Sequence, residues 1–376
     1  MRKILINGLL LNGNYSGVQY SIEYFIEAIA SLDPREFRFT ILVSKNYDGR
    51  LKNAEAVTLK RVPFDTSNRL KRILYENIYL PFYFTKGGYY LYHSPGYTLP
   101  FFFNLPSIVT VHDLIALDFP DLCQSETALY FLKVLPRSIR KSKKIIAVSN
   151  TVKRDILTRF PQIDENKISV IYHGIHTRFY RIDEANLLSG VQKKYNLPDK
   201  YIFFIGNLEP KKNVVRLIEA FCLLKKQYQI EHQLVIAGRF AWKYAPILDC
   251  VAGNSYEDDI KFLGYVDETD LPAIYSLAEV LAFPSIYEGF GLPVLEAMAC
   301  GCPVIVSDRG ALPEISGNHC PVVNPYNIAE IGSGIMKVVS DQTYRDKLVQ
   351  EGYKWSKAFT WEKAAEQFYL TYAELT

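Results

Sequence analysis

The chain has 376 residues, 49% of them apolar and 22% charged, with a formal net charge of +3. This length predicts two domains, and the composition is that of a globular chain without low-complexity segments. A pI near 8.3 is too mild for nucleic acid to be the principal partner.

The charge is uneven along the chain. Residues 1–190 carry 25 Lys and Arg against 17 Asp and Glu, and the remainder carries 18 against 23. A basic first half beside an acidic second half predicts an anionic partner on one side only, and an anionic membrane surface fits. The six cysteines form no C-x-x-C pair and no zinc spacing, which predicts buried free thiols in a reducing compartment. "MRKILINGLLLNG" enters a strand-like run with no cleavage site, and no run of 18 apolar residues follows. The expected location is cytoplasmic, with peripheral attachment at the inner face of the cell membrane.

In chain order, "KILING" reads as a strand and Gly17 to Leu32 as a helix. "FRFTILVS", "SIVTVHD", "KKIIAVS" and "ISVIYHG" follow as strands. After a polar segment the pattern restarts with "YIFFIGN", "HQLVIAG", "IKFLGYV", "EVLAFPS" and "CPVIVSD". Strands alternating with amphipathic stretches are the signature of parallel α/β domains. The reading is two doubly wound, Rossmann-like domains, 1–188 and 189–357, facing a central cleft, and a last helix in 358–376 begun by Thr360 as N-cap.

In open parallel sheets, ligands gather at the carboxyl ends of the strands. The distinctive residues fall at those ends: Asp113, Ser149, His173, Asn207, Gly238 and Ser285. The most informative stretch is "IYEGFGLPVLEAMACGCPV", residues 286–304, with Glu288 and Glu296 on either side of a Gly-Phe-Gly turn. Pro293 suits a first helical position, and Gly301 suits a left-handed C-terminal cap. The turn then precedes a helix N-terminus, where backbone N–H groups and the dipole favour an anion. Glu296, one turn in, suits neutral hydroxyls such as a ribose diol, and Glu288 points to the other end of the same ligand. A phosphate-bearing ligand with hydroxyls at both ends is a nucleotide sugar.

In "FFIGNLEPKKN", residues 203–213, Lys211, Lys212 and Asn213 follow a strand at the next helix start. A lysine there neutralises a diphosphate, and Lys212 is the candidate. In "VTVHDLIALDFP", His112 closes a strand and is placed to donate to a substrate hydroxyl or carbonyl. In "NYSGVQYS", Gly17 opens a helix. The chain contains no Asp-x-Asp pair, no G-x-x-x-x-G-K-[ST] loop and no G-x-G-x-x-G, so no metal-bridged diphosphate, cofactor, kinase or dehydrogenase is predicted.

Together these residues resemble glycosyltransferase family 4, retaining enzymes of the two-domain GT-B fold. The resemblance covers nearly the whole chain: "YSGVQYS", "VHD", "LEPKKN", "FLGYVDETDLPAIYSLAEVLAFPS", the Glu288/Glu296 signature and "FTWEKAAEQF", which is similar to a tail helix that crosses back onto the first domain. It implies that Gly17 contacts the donor through its backbone, that His112 touches the transferred sugar, and that Lys212 balances the leaving diphosphate. It also implies that Glu288 and the backbone of Phe290, Gly291 and Leu292 hold sugar hydroxyls and phosphate. Glu296 would hold the ribose, while Tyr265 and Val266 would line the base pocket.

One departure stands out. Many relatives carry an arginine just after the strand-end glycine, where this chain has Asn207; either Lys211 or Arg239 supplies a second cation or the site runs with one. The motif combination is most similar to mannosyltransferases of bacterial surface polysaccharides. GDP-mannose is therefore the first choice of donor, with UDP-glucose or UDP-N-acetylglucosamine next and a glycan or lipid-linked acceptor. The rivals are a catalytically silent subunit of the same fold and an epimerase; a phosphorylase using pyridoxal phosphate lacks an identifiable Schiff-base lysine.

Overall fold

The structure, a computed structural model, describes residues 1–13, 16–32, 36–101, 103 and 105–375. The chain forms two compact units, Met1–Gly174 with Thr360–Thr376, and Ile175–Phe359.

The strands of unit 1 are β1 (Arg2–Asn7), β2 (Phe37–Val43), β3 (Val57–Arg61), β4 (Leu91–Ser94), β5 (Ser107–Val111), β6 (Lys144–Ala147) and β7 (Ile168–Val170). They pair in parallel in the order β3-β2-β1-β4-β5-β6-β7. Most strands carry apolar runs because helices cover both faces of the sheet; the central β4, "LYHS", buries a tyrosine and a histidine instead. Along β1 the side chains alternate: Ile4 and Ile6 join Phe25, Ile41 and Phe368 on one face, while Leu5 joins Leu42, Tyr92 and Phe103 on the other.

Unit 2 contains β8 (Tyr201–Ile205), β9 (Gln233–Ala237), β10 (Ile260–Gly264), β11 (Val280–Phe283), β12 (Val304–Ser307) and β13 (Val322–Val323). Their order is β10-β9-β8-β11-β12-β13, again parallel throughout. In each sheet the order reverses beside its first strand, at β1/β4 and at β8/β11. Strand connections leave in opposite directions from such a point and open a crevice there.

The doubly wound reading holds in both units. Three strands escaped the sequence reading. β3 is mostly polar, β4 is "LYHS", and β13 has two residues, so none shows an apolar run. The domain boundary also moves: it falls between Gly174 and Ile175 and not at 188/189. The physical reason is packing within unit 2. The Ile182 amide donates to Ser276 Oγ at 3.0 Å, Arg178 pairs with Glu268, and the Phe179 ring meets Tyr275 edge-on at 6.2 Å.

The last helix, Trp361–Glu374, begins at Thr360, whose Oγ1 accepts from the Lys363 amide. It belongs to unit 1: Phe368 lies 4.1 Å from the Phe25 ring, and Tyr372 Oη is 2.7 Å from His93 Nδ1. Among the described residues, no helix is long and apolar enough to cross a membrane.

Candidate active site

In unit 2 the site is built on the loops that leave β8 and β11 at the point where strand order reverses. After β8 come Gly206 and half-buried Asn207, then a short turn of 3-10 helix, Pro210–Lys212, and the helix Val214–Tyr228. Asn213 joins the two helical pieces with φ of 60°, a left-handed conformation that asparagine tolerates. Its Nδ2 donates to Pro284 O at 3.0 Å and to Pro325 O at 2.6 Å, and the Ile286 amide donates to Lys211 O at 2.7 Å. These bonds lock the lysine loop to the glutamate loop.

The locked loops bring Lys212 Nζ to 2.5 Å from Glu288 Oε1, with the two side chains 12% and 10% exposed. Lys212 also lies over the Phe283 ring at 4.9 Å. Burial raises the Glu288 carboxyl, but the charges of Lys212 and Lys211 and the bond from Lys212 outweigh burial and leave it below its ordinary range. Lys211 Nζ is 3.5 Å from Glu209 Oε1. Glu209 is buried, and burial raises its carboxyl against the pull of both lysines. Two cations and two carboxylates thus form one cluster.

The backbone of Glu288 is held from behind. Its carbonyl accepts from the Ala311 amide at 2.8 Å, and a Cβ on Gly310 would come within 2.4 Å of that same oxygen. Gly310 has φ of 59°, so conformation and space both demand glycine. Gly291, with φ of 97°, then turns the chain into the helix Leu292–Ala299. Pro293 is the second helical residue, one later than expected, and Gly301 is left-handed as expected, with φ of 74°. Phe290 is buried and 6.3 Å from the Phe359 ring.

Glu296 lies one turn along that helix and accepts from Tyr275 Oη at 3.1 Å. Burial pushes its carboxyl up to about 8; the tyrosine bond opposes this, and the charge of Glu268 adds to it. Beyond β10, Val266 is buried and Tyr265 is 52% exposed, its ring 4.5 Å from the Arg239 guanidinium. Arg239 therefore stands with Tyr265, and Lys211 stands with the Glu288 group.

Unit 1 carries a second cluster, with two buried histidines, at the ends of β4, β5 and β7. His112 Nε2 lies 2.7 Å from Pro95 O. A carbonyl only accepts, so Nε2 carries the proton, and burial lowers the pKa so that the ring is neutral. The ring therefore offers Nδ1 as an acceptor, which corrects the expectation that it donates. It lies 5.4 Å from His173, which in turn lies 5.4 Å from Trp361. Asp113 accepts from Tyr97 Oη at 3.1 Å.

Gly17 starts the helix Gly17–Ser31 and is exposed, and a Cβ there would meet nothing within 4 Å. The fold does not require glycine at this position. Asn14 and Tyr15 of the "NYSGVQYS" stretch lie outside the described residues.

Sequence reasoning overlooked Glu209, which stood inside a quoted stretch without a role, and the Gly310–Ala311 backing of Glu288. Glu209 carried a signal: an acid just before a proline and two lysines at a strand end. Gly310 carried none, because its importance comes from Glu288, distant in sequence.

Comparison with known proteins gives the class to which this chain belongs. Residues 15–179 match the family described as Glycosyltransferase Family 4, and residues 191–355 match Glycosyl transferases group 1. O-antigen chain mannosyltransferase B of Escherichia coli is 31% identical over 278 residues, covering 74% of this chain and 72% of that protein. O-antigen chain mannosyltransferase RfbU of Salmonella typhimurium is 33% identical over 61% of this chain and 59% of its own length. Sucrose-phosphate synthase from Thermosynechococcus elongatus shares the fold, with a TM-score of 0.78 at 21% identity over 100% of this chain and 99% of its own. The chain is a glycosyltransferase with the GT-B fold and belongs to glycosyltransferase family 4.

Proposed function

We propose that the protein transfers mannose from GDP-mannose, with retention of configuration, to a hydroxyl of a glycan or lipid-linked acceptor in surface-polysaccharide assembly. The observation that carries the donor-binding part of this reading is the Lys212–Glu288 pair at the strand-order reversal of unit 2, 2.5 Å apart beside a glycine-capped helix N-terminus. Mannose is supported by the O-antigen mannosyltransferases to which the chain is similar.

In this reading the diphosphate takes Lys212 from Glu288, and Glu288 turns to the sugar hydroxyls. Lys211, whose charge already reaches Glu288, serves as the second cation in place of an arginine at Asn207. Glu296 and Tyr275 receive the ribose, and Tyr265 and Val266 receive the base. The backbones of Phe290, Gly291 and Leu292 meet phosphate and sugar. In unit 1, Nδ1 of His112 accepts from a sugar hydroxyl, and Gly17 brings its backbone to the donor.

The step is a front-face displacement. The bond from the anomeric carbon to the β-phosphate oxygen breaks, and the acceptor oxygen bonds to that carbon on the same face. Its proton passes to the departing phosphate oxygen. Lys212 stabilises the charge gathering there, as fixed donors do in an oxyanion hole. No metal is required.

The experiment is incubation with GDP-mannose, UDP-glucose and UDP-N-acetylglucosamine, with and without chelator, beside a thermal-shift series of the free nucleotides. GDP at 100 times its dissociation constant should stabilise the fold by about 2.7 kcal/mol. GDP-mannose should release GDP and give an α-linked product by NMR, unaffected by chelator. A shift confined to UDP would replace the donor, release of free sugar without an acceptor would indicate an epimerase, and no shift with any nucleotide would indicate a silent subunit.

A further inference from the structure

Unit 1 exposes an apolar ridge that its own fold does not cover. In the helix Arg69–Gly87 only Leu80 and Phe84 are fully buried. Leu70, Leu74, Ile78 and Phe82, spaced four residues apart, are 80%, 58%, 58% and 67% exposed. This spacing places them in one row along the helix. A water-facing helix surface is ordinarily polar, and contiguous exposed apolar rows mark an interaction surface.

Charge identifies what that surface meets. The helix carries Arg69, Lys71, Arg72 and Lys86, and its one acid, Glu76, turns inward to accept from Asn7 Nδ2 at 2.8 Å. The neighbouring helix Ser125–Lys141 adds Lys133, Arg137, Arg140 and Lys141 against Glu126 alone. The two helices are tied together. Arg69 lies over the Tyr130 ring at 4.9 Å; the half-exposed Phe101 donates its amide to Asn77 and lies under Arg137 at 4.7 Å. Leu129 and Leu132 of the second helix are exposed as well. Lys86 Nζ lies 6.0 Å from the Phe82 ring, so the chain's cation and its apolar anchor share one spot.

We propose that this face docks on an anionic lipid bilayer, with the ridge among the acyl-chain boundary and the cations at the headgroups. Apolar rows flanked by Lys and Arg are the chemistry of interfacial helices. A second copy of the chain fits less well, because a two-fold contact would bring these cations against their own copies. The proposal is independent of which sugar donor the enzyme uses.

The test is sedimentation of the full chain with sonicated vesicles. Protein should pellet with phosphatidylethanolamine vesicles containing phosphatidylglycerol, less so as salt rises, and not with phosphatidylcholine alone. Leu74→Gln/Ile78→Gln/Phe82→Gln changes only exposed side chains, so it should fold normally by circular dichroism and bind vesicles at least tenfold more weakly. Lys71→Glu/Lys86→Glu should weaken binding by more than about 25-fold, given about fivefold for each cation removed. A wild type left in the supernatant, or a triple variant that pellets like wild type, would overturn the proposal. So would sedimentation velocity showing a wild-type dimer, without vesicle binding, that the triple variant dissolves.

Discussion

The two units solve the same topological problem with opposite electrostatics. Where strand order reverses in unit 2, the loops hold formal charges in close pairs, Lys212 with Glu288 and Lys211 with Glu209. The strand-end cluster of unit 1 is a stack of His112, His173 and Trp361, in which burial keeps both imidazoles neutral. A fold that stores paired charges has prepared cations for an anionic ligand, at the cost of occupying them until it arrives. In the proposed reading, the neutral rings offer an acceptor at His112 and flat surfaces to sugar hydroxyls. The first kind of site responds to charge substitutions and pH, and the second responds to shape.

The largest effect should come from breaking a charged pair. Glu288→Gln should lower kcat by about 10²–10³, the usual loss when one preorganised electrostatic contact is removed. The same variant should bind free nucleoside diphosphate more tightly than wild type, because Lys212 no longer has a carboxylate to leave. Steady-state kinetics beside calorimetry would separate the two, and weaker nucleotide binding would mean that Glu288 does not compete for Lys212.

A second effect sharpens the pH contrast. Burial holds the Glu296 carboxyl up to about 8, against an ordinary 4.5. Between those values the folded chain keeps a proton that the unfolded chain has released. Stability therefore falls as pH rises through this window, by at most about 1.4 kcal/mol per unit, and levels off above it. Melting midpoints from pH 5 to 9 should slope downward in wild type and be flatter in Glu296→Gln. Equal slopes would remove Glu296 as the cause.

The smallest effect belongs to unit 1. His112→Asn keeps an acceptor oxygen at the position of Nδ1 and should retain most activity. His112→Phe should lose about tenfold in kcat/KM, the worth of roughly one hydrogen bond. Because the ring is already neutral, neither variant should change the pH profile of kcat/KM between pH 6.5 and 8.

Much of this contrast could be read from the chain before folding. Glu288 and Glu296 announced themselves through the glycine turn between them, and Lys212 through its place after a strand-end glycine. Local chemistry of that kind survives in sequence. What did not survive depends on contacts between distant residues. The tautomer of His112 is set by the carbonyl of Pro95, the rigidity of Glu288 by Gly310 and Ala311, and the charge balance by the burial of Glu209. β4 was hidden because its tyrosine and histidine read as polar, although Tyr92 and His93 are fully buried and hydrogen-bonded. The domain boundary was misplaced because residues 175–184 carry no periodic pattern and declare their unit through contacts such as those of Arg178, Phe179 and Ile182.

The central claim is that Lys212, released from Glu288, is the cation that receives the donor's diphosphate. Its most direct test is calorimetric titration of GDP, with UDP in parallel, into wild type and Lys212→Ala after circular dichroism has shown both folded. A charge-assisted contact is worth about 1.5–3 kcal/mol, so affinity for the preferred nucleotide should fall roughly 10- to 100-fold in the variant. Equal affinities in the two proteins would contradict the account and place the diphosphate elsewhere.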